Sequence, residues 1–151
     1  MEIVDGIPYL PQVKALIRAY TDSLGKDLSF QHLEEELQDL TVKYAPPQGK
    51  LLSAVEEGRV WGCVAYTRHS DDRCEMKRLY VDPICRGRHL GQALVDAVLA
   101  QAKDDGYSEM VLDTLETLRS AVVLYHKNGF TEIPAYYHNP LPGVIYMKKE
   151  L

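Results

Sequence analysis

Apolar and polar positions change their spacing several times along the chain, and each change marks an expected element. Met1 to Ile7 reads as a short strand. After Pro8 and Pro11, the apolar residues Val13, Leu16, Ile17 and Tyr20 recur on one helical face, which Gly25 is placed to end. From about Phe30 to Leu40, Leu33, Leu37 and Leu40 repeat at intervals of three and four, predicting a second helix. Its other positions, Glu34, Glu35, Glu36 and Asp39, read as a solvated acidic face, or as an attraction for a cation if they border a cleft. Tyr44 to Gly49, with Pro46 and Pro47, is a loop.

The period then shortens. Leu51 to Glu56, Val60 to Arg68 and Cys74 to Val81 are β-prone runs separated by Glu57-Gly58 and Ser70-Asp71-Asp72, an antiparallel meander. Helical spacing returns from about Leu90 to Asp104, with Leu90, Leu94, Ala97 and Val98 on one face and Gly106 at the end. Met110 to Asp113 is a strand, Leu118 to Lys127 a helix closed by Asn128-Gly129, and Phe130 to Ile133 and Val144 to Met147 the last two strands. The order β-α-α-β-β-β-α-β-α-β-β predicts an α/β (α+β) fold, a mixed central sheet with helices on both faces. No repeat or linker interrupts it, so residues 1–151 read as one domain.

Composition narrows the function. The 151 residues carry 17 basic and 22 acidic side chains, a net charge of −5, which disfavours a general nucleic-acid binder. No apolar run approaches the roughly 18 residues that cross a bilayer, and the start MEIVDGIPYL lacks the regions of a signal peptide, so no membrane partner and a cytoplasmic location are expected. Cys63, Cys74 and Cys85 are odd in number and include no C-x-x-C pair, so they are expected as reduced thiols and no metal site is expected. Cys85 beside Arg86 and Arg88 reads as an incidental loop cysteine, and His69 with Cys74 as a surface turn rather than a metal pair.

The chemistry concentrates in one stretch. From Arg73 to Gly91 there are five basic residues (Arg73, Lys77, Arg78, Arg86, Arg88) against two acidic (Glu75, Asp82), so the segment is +3 and the remainder −8. It leads a strand into a helix through a loop rich in Gly and Arg, and unpaired N–H groups at a helix start attract phosphate. Neither G-x-x-x-x-G-K-[ST] nor G-x-G-x-x-G is present there.

Arg86-Gly87-Arg88-His89-Leu90-Gly91 instead resembles the pyrophosphate loop [QR]-x-x-G-x-[GA] of the GNAT superfamily of acetyl-CoA-dependent N-acetyltransferases. Arg86 and Gly91 match its ends, and His89 stands where the middle glycine usually is. With Val81-Asp82-Pro83 before the loop and Ala121-x-x-Leu124-Tyr125-x-x-x-Gly129-Phe130 after it, the chain is identified as a member of that superfamily. The resemblance implies acetyl-CoA as cosubstrate. It implies that Leu79, Tyr80 and Val81 splay from Met110 to Asp113 and meet the pantetheine arm, and that Arg86, Gly87, Arg88, His89, Leu90, Gly91 and Gln92 hold the pyrophosphate.

The resemblance also implies transfer of an acetyl or short acyl group to a primary amine by direct attack, the acceptor being a small molecule, a peptide N-terminus or a protein lysine. An amine of pKa roughly 10.4 is neutral in only about one molecule in 2,500 at pH 7, so deprotonation with productive binding must recover on the order of 4 to 5 kcal/mol. Glu75 is the candidate base, or else a surface partner of Arg73 or Lys77, and Tyr125 resembles the family's general acid for the leaving thiolate. Tyr136, Tyr137 and His138 are either acceptor-pocket residues or a packed aromatic turn; Arg68 and Arg119 would suit an anionic acceptor. A non-catalytic acyl-CoA sensor is the other reading, and the last strands offer an edge for a homodimer.

Overall fold

The computed structural model describes residues 1–27 and 31–151. Seven strands form one mixed sheet in the order β1-β2-β3-β4-β5-β7-β6. They are β1 (Glu2–Asp5), β2 (Gly49–Glu56), β3 (Arg59–Arg68), β4 (Arg73–Val81), β5 (Glu109–Leu115), β6 (Thr131–Ile133) and β7 (Val144–Glu150). Every neighbouring pair is antiparallel except β4 and β5. That one parallel pair needs a crossover, which the helix α4 (Leu90–Asp104) supplies.

Alternation along the strands sorts side chains to two faces. Leu52, Val64, Cys74, Met76, Met110, Leu112 and Met147 pack with Leu94, Val95 and Val98 of α4 and Tyr125 of α5 (Arg119–Lys127). Leu51, Cys63, Ala65 and Tyr80 face the other way, onto Val13 and Ile17 of α1 (Leu10–Leu24), Leu37 of α2 (Leu33–Gln38) and Tyr44 of α3 (Thr41–Tyr44). Each fully buried aliphatic chain such as Ile17 or Leu94 stabilises the fold by roughly 1.5–3 kcal/mol over its exposed state. The helices on both faces and the antiparallel meander of β2, β3 and β4 match the expected architecture.

Two expectations are corrected. The second helix is not continuous to Leu40: α2 stops at Gln38, where Asp39 is extended (φ −151°, ψ 96°), and a separate turn of helix, α3, begins at Thr41. The Asp39 carboxylate takes the Thr41 backbone N–H at 3.0 Å, a local bond that competes with helix continuation. The expected start at Phe30 lies outside the described residues. Nor is the acidic run uniformly solvated: Glu34, Glu35 and Asp39 are exposed, but Glu36 is only 5% exposed and ion-paired. Periodicity marks Glu36 as polar; only its partner, 42 residues away, explains its burial.

Candidate active site

β4 and β5 are paired only where they begin, Arg73 to Glu75 against Glu109 to Val111. Beyond Glu75, β4 keeps its bonds to β3 alone, and the registers Ala65↔Lys77 and Cys63↔Tyr80 leave two β4 residues, Arg78 and Leu79, opposite one on β3. This is a β-bulge, and its first residue, Arg78, has φ +59°, a left-handed conformation that costs a non-glycine residue about 1–2 kcal/mol. An extra residue bends a strand and increases its twist, which turns the end of β4 away from β5. Between the parted strands lies a cleft of about 780 Å³ that runs from the start of α4 to α1 and the connection before β7.

On the α4 side the cleft is walled by Leu79, Val81, Cys85, Arg86, Gly87, His89, Leu90 and Gly91, and by Tyr125, while Tyr80, also on the wall, turns its ring toward Tyr20 of α1 with centroids 4.8 Å apart. Asp82 accepts the Ile84 N–H at 3.1 Å and starts a 3-10 turn, Pro83–Cys85, from which the loop enters α4. Gly87 has φ +85° with open space where a Cβ would project. His89, at φ +58°, takes the left-handed region as the residue before α4, so the imidazole-bearing residue adopts a geometry that glycine would adopt without strain. Arg88 and Gln92 are not part of the wall: Arg88 approaches Glu56 at 3.8 Å, and Gln92 is tied to Asn128 by bonds of 2.7 and 3.0 Å.

The expected basic field is largely spent inside the fold. Arg73 is paired with Glu109 at 2.9 Å, Lys77 with Glu75 at 3.6 Å and Arg78 with Glu36 at 2.9 Å, which leaves Arg86 as the cation of the stretch that lines the cleft without an ion pair among the described residues. Tyr125 is 7% exposed, stacked edge-on to Phe130 with centroids 5.8 Å apart, and burial raises its phenol pKa, so the hydroxyl stays protonated at neutral pH.

On the α1 side the walls are Tyr20, Ser23 and Leu24 of α1, with Gln31, Arg78, Asp113, Asn139 and Leu141. Asp113 neighbours Leu112 on β5, and since Leu112 belongs to the α4 face, Asp113 belongs to the opposite one. Its carboxylate accepts from the Tyr137 hydroxyl and, at 2.8 Å, from the Asn139 side-chain amide. Glu75 does not reach the cleft wall: one oxygen accepts from Tyr136 at 2.5 Å and the other faces Lys77. The phenol pKa values of Tyr136 and Tyr137 are raised by burial and by these carboxylates, so both remain donors. Tyr146 packs edge to face against both Tyr136 and Tyr137, and the turn is therefore both the aromatic cluster and the clamp on the two acids.

Asp113 is the cleft residue that sequence reading missed, since a lone Asp in a short strand carries no spacing signal. Among the described residues no cluster of His, Cys, Asp and Glu is arranged to hold a metal ion, Cys85 is a buried free thiol, and no helix is long and apolar enough to cross a membrane.

The sequence model of the Acetyltransferase (GNAT) family matches residues 13–130. An uncharacterised N-acetyltransferase of Schizosaccharomyces pombe is 46% identical over 144 residues, 94% of this chain and 88% of that protein. The crystal structure of a GNAT-family acetyltransferase from Staphylococcus aureus superposes with a TM-score of 0.82 at 20% identity, covering 99% of this chain and 98% of that one. One from Elizabethkingia anophelis with acetyl-CoA bound has a TM-score of 0.61 at 22% identity, covering 77% and 82%. The chain belongs to the GNAT acetyltransferase family.

Proposed function

We propose that the protein transfers an acetyl or short acyl group from acyl-CoA to a primary amine by direct attack, residues 1–151 forming one catalytic unit. The observation that carries this reading is the parting of β4 from β5, which leaves the β5-facing edge of β4 from Met76 to Val81 unpaired, with β3 still bonded on its other side, in a cleft bordered by Tyr125 and Asp113. An extended amide-bearing arm fits such an edge as an added strand would. The glycine-containing loop before α4 suits its pyrophosphate end.

Bound acyl-CoA supplies the thioester whose acyl group is transferred. The chain's residues then have separate tasks. Leu79, Tyr80 and Val81 orient the arm through backbone groups, while Arg86 and the backbone from Gly87 to Gly91 hold the phosphates. Tyr125 Oη carries the proton that the departing thiolate takes up. Asp113 draws the acceptor ammonium into the cleft and receives its proton, directly or through water. Glu75, closed by Tyr136 and Lys77, buttresses the turn that holds Asp113 rather than acting as the base.

The test is turnover: purified protein with acetyl-CoA, screened against amines and peptides while free thiol is followed. Thiol release that depends on the amine supports the transferase. Tight acetyl-CoA binding without turnover on any acceptor would favour the non-catalytic sensor.

A further inference from the structure

Arg78 brings to the α1 side of the cleft the group best shaped to grip a carboxylate, a planar guanidinium fork. That fork is already filled. Its Nε and Nη2 donate to the two oxygens of Glu36 at 2.9 and 3.1 Å, and its Nη1 donates to Gln31 at 3.0 Å. Glu36 lies 5% exposed and also takes Lys43 at 3.2 Å. Lys77, the other cation of this wall, faces Glu75. Asp113 differs: the Tyr137 hydroxyl and the Asn139 amide that donate to it are neutral. Among the described residues, the α1-side wall therefore presents a carboxylate held by neutral groups, and its two cations, Arg78 and Lys77, are matched by carboxylates of the chain itself; Arg119, at the start of α5, lines the same cleft exposed and without an ion pair.

We infer that Glu36 is a built-in occupant of the Arg78 fork and sets acceptor specificity. The α1 side accepts amines whose neighbouring carboxyl group is absent, esterified or amidated, and turns away free amino acids. This inference rests on the acyl-transfer reading above. A free α-carboxylate entering beside the amine meets Asp113, a like charge, and finds the fork taken. Displacing Glu36 would strand a carboxylate that α2 and β4 hold almost wholly out of water. The remaining wall, Tyr20, Leu24 and Leu141, suits an apolar acceptor body.

Matched pairs isolate the charge. With acetyl-CoA and the parent protein, kcat/KM is to be compared for tyramine against tyrosine and for cadaverine against lysine, with tyrosine methyl ester keeping the bulk of tyrosine without its charge. At least a tenfold preference for the amine in each pair, with the ester ranking beside tyramine, is expected. In Glu36→Gln, checked for folding by circular dichroism, the tyrosine-to-tyramine ratio should rise at least fivefold because part of the fork is released. Equal or better use of the free amino acids by the parent, or an unmoved ratio in a folded Glu36→Gln, overturns the inference. If Glu36→Gln does not fold, the parent's ranking decides alone. Calorimetry on the CoA-loaded parent that finds no probe binding at millimolar concentration also overturns it. Failure to bind acetyl-CoA at all would instead undo the acyl-transfer reading.

Discussion

On the α4 side of the cleft, most of the lining comes from one short stretch, Leu79 to Gly91, with glycines at 87 and 91, whereas on the α1 side it is side chains collected from distant parts of the chain. Glu36 and Arg78 are 42 residues apart, Tyr136 and Glu75 are 61 apart, and Asn139 and Asp113 are 26 apart. A backbone site needs only a glycine where a side chain would intrude and a helix that starts in the right place. A side-chain site needs several elements to fold correctly before any member of it is satisfied. The first half is therefore tolerant of sequence and the second is not, which suits a shared cosubstrate on one side and an individual acceptor on the other.

The difference is most sharply probed by Glu36→Ala. Removing one member of a buried pair leaves the other as an uncompensated charge, a loss of about 3–5 kcal/mol. For a chain of this size that lowers the thermal midpoint by roughly 10 °C in calorimetry. The pH dependence has a defined sign. Burial raises the Glu36 pKa, but the hydrogen bonds and charge of Arg78, with help from Lys43, outweigh it and hold the pKa below the ordinary 4.5. Stability from this group is thus present above pH 4.5 and lost as pH falls through the lower, folded value. The parent's midpoint should fall with acid in that window more steeply than that of Glu36→Ala; identical slopes would show that the pair contributes no such linkage.

Smaller in free energy, and acting at the junction of the two halves, is Tyr125→Phe. If the hydroxyl supplies the leaving-group proton, kcat falls by roughly a hundredfold while acetyl-CoA affinity is kept. If the ring merely packs on Phe130, kcat is almost unaltered. Turnover and calorimetric affinity measured together separate these outcomes, provided the chemical step limits the parent.

The same contrast governs what could be read in advance. The strand-to-helix loop was legible because Arg86, Gly87 and Gly91 sit within six residues, so that one short pattern marks it. So was the meander, whose β-prone runs are set apart by Glu57-Gly58 and Ser70-Asp71-Asp72. The bulge at Arg78 was not, because no glycine or asparagine marks the positive φ; the residue is held there by tertiary bonds to Glu36 and Gln31. Glu75, the base that the resemblance suggests, has its side chain closed by Tyr136 and Lys77, while Asp113, unmarked by any motif, meets the cleft. Local patterns thus reached the elements and the loop before α4, and long-range side-chain pairing decided the rest.

Arg86→Glu tests the charged side chain that the strand-to-helix loop itself brings to the cleft. Arg86 is exposed and without an ion pair among the described residues, so reversing its charge should weaken acetyl-CoA binding roughly tenfold, chiefly at low salt, and leave the thermal midpoint near the parent's. Affinity equal to the parent's at low salt would remove Arg86 from the phosphate site.

The smallest effect is expected at His89, where the two halves' logic can be set against each other within one residue. Its backbone lies at φ +58°, before the first turn of α4, and a left-handed conformation costs an ordinary residue about 1–2 kcal/mol while glycine takes it freely. Glycine in turn has more freedom to lose on folding, by roughly 0.5–1 kcal/mol. These terms oppose each other, so His89→Gly should move the thermal midpoint by no more than a few degrees. If the loop holds phosphate through backbone N–H groups alone, the variant binds CoA at least as tightly as the parent in calorimetry. A loss of tenfold or more would place the imidazole itself on the ligand. The α4 side would then resemble the α1 side, relying on a particular side chain that the loop pattern does not specify.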